Sequence, residues 1–230
     1  GPGAAVQYFE PSLKMSLDKS SEEKLKNKIR LYSKAFAESK EITSSSVRLS
    51  IVNGRDYFVS SEGSKIVENH PHISLLISGN VLADDGMELP LYKSYYATDL
   101  KDLPKDETVL ADIDVLIKTL EKLKIAPVVD PYSGPALLSG VATGVFFHEI
   151  FGHRVEAARM KSESDAQTFK NKVGQQVLNK NLSVIFDPTI TVYKGFKLSG
   201  SYDYDDEGMK GQRVNVVSKG VLTDFLTNRT

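Results

Sequence analysis

Between Gly140 and Met160 the chain reads GVATGVFFHEIFGHRVEAARM, and His148 and His153 fall five residues apart there around Glu149. That spacing limits what the segment can be. In a regular α-helix positions four apart lie ~40° from each other, whereas positions five apart lie ~140° apart. A straight helix would therefore point the two imidazoles to different sides. Gly152, directly before His153, permits a turn that ends or widens, and a single π-bulge absorbs one extra residue. Either brings His153 back beside His148, with Glu149 near any ion they share and placed to take a proton from its water. A blander reading stands beside this one. LLSGVATGVFF is apolar enough for a buried helix running from Ala136 to about Met160, with Gly140 and Gly144 as a close-packing face. Its histidines would then be satisfied by backbone carbonyls. Spacing alone leaves both open, because two ligands five apart do not make a site.

Composition narrows the class. The 230 residues are 40% hydrophobic and 26% charged, as in globular proteins, and long enough for one large domain or two modest ones. A formal net charge of -1 argues against broad nucleic-acid binding. No apolar run approaches the ~20 residues of a membrane span, so neither nucleic acid nor membrane is expected as a partner. With no cysteine there is no disulfide and no thiolate ligand within the chain. The opening Gly1-Pro2 looks like a tag-removal scar, which places the natural N-terminus outside the sequence. A cytoplasmic location is the expectation.

Along the chain two halves are expected: residues 1–125, a partial α/β domain, and residues 126–230, which hold the histidine motif. In the first, Leu25, Ile29, Tyr32 and Phe36 recur at helical spacing within Glu22–Lys40, with Ser20 or Ser21 as N-cap. Asn53-Gly54 between alternating runs predicts a hairpin turn, Asp85-Gly86 predicts another, and a second helix fits Glu107–Lys122. The connection Ile125–Pro135 is the candidate boundary. In the second half, LSVIFDP, ITVYKGFKLSG, QRVNVVSKG and VLTDFLTN read as strands, with Gly208, Gly211 and Gly220 as turns. The fold class is α+β, a mixed helix/strand half followed by a motif helix packed on antiparallel hairpins.

HEIFGHRVEA resembles the H-E-x-x-x-H signature of the TldD/PmbA metallopeptidase family (the "modulator of DNA gyrase" family), in which a glycine before the second histidine and a glutamate three residues after it recur. Here those are Gly152 and Glu156. Downstream, YDYDDEGMKGQRVNVVSKGVLTDFLTNR is similar to the family's D-D-E-G-x-x-G segment, with Asp205, Asp206, Glu207, Gly208, Gly211, Gly220 and Leu222 on the pattern. The likeness is firm from about Val128 to Arg229. It implies a zinc peptidase of the catalytic, motif-bearing type, with His148 and His153 as metal ligands and Glu149 as general base. It further implies a peptide or unfolded-polypeptide substrate held as an added strand. The expected assembly is a homodimer, or a heterodimer with a related subunit that lacks the motif.

One departure is plain. The family's third zinc ligand is a cysteine far toward the C-terminus, and this chain has none. The expectation is therefore a truncated chain, itself weak or inactive as an enzyme. Glu156 stands either as an alternative ligand or as a carboxylate orienting a histidine from behind. The alternative to a peptidase is a non-catalytic peptide-binding or partner-subunit scaffold of the same fold. His70 and His72 read as a surface turn before a metal pair, and Asp205-Asp206-Glu207 as a hairpin rim before a cation loop.

Overall fold

The computed structural model describes residues 5–13, 17–161 and 167–229, so Gly1-Pro2 lies outside it. The chain divides into two compact units, Gly1–Asp130 and Pro131–Thr230. The architecture is α+β, as the sequence patterns predict.

The first unit is a sheet covered by two helices. Strands β2 (Ser44–Val59), β3 (Lys65–Leu82) and β4 (Glu88–Ala97) are antiparallel neighbours with β3 central, and the short β1 (Gln7–Phe9) runs parallel to the start of β3. Along β3 the residues Ile73, Leu75, Ile77, Gly79 and Val81 are buried and the residues between them are not, the period-2 signature of a sheet with one covered face. Helices α1 (Lys19–Phe36) and α2 (Asp106–Lys124) supply the cover. Tyr32 and Phe36 of α1 meet Val109, Ile113, Leu116 and Leu120 of α2 over Leu75, Ile77 and Val81. Gly79 makes this close packing possible. A Cβ there would lie 3.1 Å from both Leu120 Cδ1 and Phe36 Cε1, so the missing side chain is the space the helices occupy.

Three local expectations are corrected. The N-cap of α1 is Asp18, whose carboxylate accepts from the Ser21 amide at 2.7 Å, not Ser20 or Ser21; an ionised carboxylate is the better acceptor at a helix N-terminus. Asn53-Gly54 is not a turn. Strand β2 runs straight through it, with Asn53 opposite Pro71 and Gly54 opposite His70. The reversal comes at Ser60–Ser64, where the polar SSEGS supplies Gly63 at φ 93° and the strands close at Val59 and Lys65. A long ladder with matched inward faces outweighs a local turn preference. His70 and His72 accordingly lie in strand β3, not in a surface turn; His70 Nε2 is 3.5 Å from Asp56, and His72 packs on Tyr96. Pro71 is tolerated because, among the described residues, this part of β3, between the β1 partners at 65–67 and the β4 partners from 73, has β2 as its only strand neighbour. The Asp85-Gly86 turn forms as expected, with Gly86 at φ 87° joining β3 to β4.

The second unit holds α3 (Gly140–Phe147), a π turn (His148–Gly152), a 3-10 turn (Ala157–Lys161) and two small sheets. Strands β5 (Val184–Phe186), β8 (Val214–Ser218) and β9 (Val221–Leu222) form one; β6 (Val192–Tyr193) and β7 (Phe196–Lys197) form the other. Lys194-Gly195 and Lys219-Gly220 have positive φ at both residues, the geometry of two-residue hairpins. A Cβ on Gly220 would in addition meet the Leu178 carbonyl at 2.5 Å. Gly208 also turns at φ 71°, but Gly211 does not. It is a close approach instead, its absent Cβ leaving room for the Tyr202 carbonyl 2.8 Å away. The core of this unit is Phe151, Val155, Val216, Val217 and Leu222.

The single helix expected from Ala136 to Met160 is thus three shorter pieces, and its apolar start is not a core. Leu137, Val141 and Val145 are all more than half exposed, and nothing lies within 4 Å of a Cβ built on Gly140 or Gly144. Burial begins only at Phe151.

Candidate metal centre

Helix α3 is capped by Ser139, whose hydroxyl accepts from the Ala142 amide at 3.3 Å, and it hands over to the π turn at His148. There the His153 amide bonds the His148 carbonyl, five residues back, at 3.4 Å. A bond over five residues is what a π turn adds to an α-helix, and it absorbs the extra residue between the histidines. The result is the juxtaposition that a straight helix forbids: the rings of His148 and His153 are 4.5 Å apart, nearly perpendicular at 79°. Gly152 supplies neither an unusual backbone nor needed space, since its φ is not positive and a Cβ there would make ordinary contact, 3.5 Å from His148 Nδ1.

Glu149 joins them. One ligand atom from each of His148, Glu149 and His153 lies within 4.8 Å of the others, the only such group of three among the described residues. Two imidazole nitrogens and a carboxylate oxygen are a donor set that zinc accepts. The spread is wider than the ~3.5 Å between ligand atoms of a tetrahedral zinc site. His148 and Glu149 are exposed and His153 is half-buried, so none of the three side chains is locked in a core. The residues present fit the ion.

The turn is anchored on both sides of His153. Phe151 stacks on Phe147 and Phe169, and Val155 is fully buried in the same core. Glu156 then makes a parallel bridge to Leu226, with the Ala157 amide on the Leu226 carbonyl and the Leu226 amide on the Val155 carbonyl, both at 2.8 Å. The side chain of Glu156 faces His153 Nδ1 at 3.3 Å and accepts from Arg159 Nε at 2.6 Å. The Arg159 hydrogen bond, more than the histidine contact, holds its carboxyl below the usual glutamate range. Glu156 is not in the three-residue group; it stands behind His153. Arg159 carries no motif, and its only trace in the sequence is the i,i+3 spacing from Glu156.

The acidic run is separate from this centre. Asp205 Oδ1 accepts from the Glu207 and Met209 amides, and Glu207 Oε2 accepts from the Arg229 amide. The two Asp205 bonds close the turn, as a hairpin rim requires, and the Glu207 bond ties that rim to residue 229. They border a cavity of about 540 Å³ whose lining includes Phe186, Tyr202 and Leu226 but not His148, Glu149 or His153.

The chain is similar to several known proteins. Residues 131–230 match the family model of the PmbA/TldA metallopeptidase C-terminal domain. A metalloprotease of Methanothermobacter thermautotrophicus is 32% identical over 180 residues, covering 75% of this chain and 36% of that protein. A zinc metalloprotease TldD homolog of Saccharolobus solfataricus is 30% identical over 96 residues, 41% of this chain and 20% of its own. Among solved structures, a Thermotoga maritima protein described as a modulator of a DNA gyrase shares the fold, with a TM-score of 0.70, 18% identity, and coverage of 99% of this chain and 50% of that one. The chain therefore spans about a third of the first relative and half of the Thermotoga protein. Its residues 131–230 are thus similar to the PmbA/TldD family of metallopeptidases, matching the model of that family's C-terminal domain.

Proposed function

We propose that this chain carries the zinc-binding and proton-transfer machinery of a peptidase acting on small or unfolded peptides. The observation that supports this most directly is the π turn, which gathers His148, Glu149 and His153 within 4.8 Å. His148 and His153 would hold the ion, each through one imidazole nitrogen. When bound, zinc lowers the pKa of its water toward ~7 and polarises a carbonyl. A carboxylate oxygen of Glu149 takes the proton of the attacking water and gives it to the leaving amine nitrogen. Glu156 faces His153 Nδ1 at 3.3 Å and helps keep that ring in place. The substrate backbone is held as an added strand, a mode that tolerates many sequences. The working assembly is a homodimer or a heterodimer with a related subunit.

A catalytic zinc normally has three protein ligands. With Glu149 kept as base, this cluster supplies two. Zinc titration should accordingly show one weak site per chain, removed by dialysis against a mild chelator and abolished in His148→Ala. Glu149→Gln should keep the zinc and lower turnover of an unfolded peptide by ~10²-fold or more. Undiminished zinc binding in His148→Ala would refute the site. Undiminished turnover in Glu149→Gln would refute the base and leave the non-catalytic peptide-binding module as the better reading.

A further inference from the structure

The chemistry of His153 is decided behind the ring. Its Nδ1 faces two groups of opposite charge, Glu156 Oε1 at 3.3 Å and the Arg159 guanidinium at 3.4 Å. Only one of them can be its hydrogen-bond partner at a time. Toward the carboxylate, Nδ1 must carry the proton, and the lone pair is then on Nε2. Toward the guanidinium, Nδ1 must be the lone pair, and Nε2 carries the proton and cannot be a ligand. The choice lies with Arg159. Its Nε already donates to Glu156 Oε2 at 2.6 Å, much shorter than its contact with the ring. That bond holds one carboxyl oxygen of Glu156 and turns the other, Oε1, toward Nδ1, where a carboxylate oxygen favours a proton on the ring nitrogen.

The backbone leaves Glu156 little freedom. The residue is bridged to Leu226, and the neighbouring Val155 is fully buried, so its carboxylate is presented from a fixed point. Arg159 sits one turn further along, in the 3-10 segment Ala157–Lys161, and reaches back over three residues. Its side chain is 38% exposed, so its removal does not open the core.

We propose that Arg159 is a positioning residue of the metal centre: by clamping Glu156 it fixes His153 as the Nδ1–H tautomer and so leaves Nε2 as the metal-ligating atom. The proposal rests on the zinc reading for its consequence but not for its content, because the tautomer exists without metal.

The test uses the metal-free 230-residue protein, labelled with ¹⁵N-histidine, at a pH where the imidazoles are neutral. Nitrogen–proton correlation spectra report which ring nitrogen carries the proton, and the His153 signals are identified by their loss in His153→Ala. The wild type should show His153 as Nδ1–H. Arg159→Met should move it toward Nε2–H and weaken zinc binding ~10-fold, the lower end of the cost of losing an outer partner of a metal ligand. Arg159→Lys, which keeps a cation near Glu156, should recover part of both changes. A wild-type His153 protonated on Nε2 overturns the proposal, as does an Arg159→Met variant whose tautomer is unchanged. If the tautomer shifts as expected while the wild type takes up no zinc, the positioning stands and the zinc reading fails. If His148→Ala loses zinc while Arg159→Met alters neither tautomer nor affinity, the reverse holds.

Discussion

Asp112 shows how single residues tie the first unit together. Its carboxylate accepts from Tyr95 Oη at 2.6 Å and pairs with Lys93 at 2.6 Å, both from strand β4, while Asp112 itself stands on α2. Asp106, at the start of α2, does the same for α1 through Tyr32 and Lys28. Burial first, and then the carboxylate, push both tyrosine hydroxyls up, so they remain donors across the working pH range. Hydrogen bonds hold both carboxyls below their usual range, led by Lys93 at Asp112 and by Tyr32 at Asp106. A depressed carboxyl adds stability that is present above its unfolded value, ~3.9, and is lost as pH falls through the folded value. Urea unfolding from pH 6 down to pH 2 should therefore show stability falling below about pH 4, and the fall should be shallower in Asp112→Asn. Tyr95→Phe should cost about 1.5–3 kcal/mol at neutral pH, the range for a hydrogen bond to a charged group; an unchanged midpoint would mean that Asp112 is held by Lys93 alone. None of these pairs was legible in the sequence. Each joins residues whose adjacency depends on how a helix lies across a sheet, and a carboxylate one turn along the helix would read the same. His148, Glu149 and His153 were legible because their partners lie within one turn of chain.

At the scale of elements, legibility followed the balance of local and long-range forces. Helix α2 matched its apolar period because Val109, Ile113, Leu116 and Leu120 all face one core. The widened turn at His148–Gly152 could be argued from spacing, since local geometry alone separates a regular helix from a π turn. Asn53-Gly54 misled because a strong turn pair was overruled by the 16-residue pairing of β2 with β3. Apolar α3 misled for a different reason: hydropathy records what a helix prefers, not what lies beside it. Gly79 carries the matching prediction. A methyl group there would press on Leu120, Leu116 and Phe36 at 3.1–3.2 Å, and Leu120 and Phe36 are fully buried with nowhere to retreat. Gly79→Ala should therefore destabilise by about 1–3 kcal/mol, despite alanine's better backbone entropy, as read from denaturant midpoints. A stabilised variant would show that the helices can lift off the sheet at little cost.

At the scale of the whole molecule, the two cores share no residue, and residues 126–139 between them carry neither helix nor strand. Residues 1–130 produced alone should unfold in one cooperative transition with the helix content of α1 and α2; a non-cooperative melt would show that the first unit depends on the second. The second unit is built on a different plan. Its histidines are neighbours in sequence, but the residue that braces them is stitched to Leu226, 70 positions downstream. Bringing those two points together costs loop-closure entropy that grows slowly with length, and local contacts cannot repay it before the strands between have formed. On a ribosome the order is then set: a nascent chain that has passed His153 but not yet released Leu226 displays the motif without its brace. On the proposed zinc reading, ion uptake would then be a late event in the life of the polypeptide, following maturation of the hairpin that carries Leu222 rather than nucleating it.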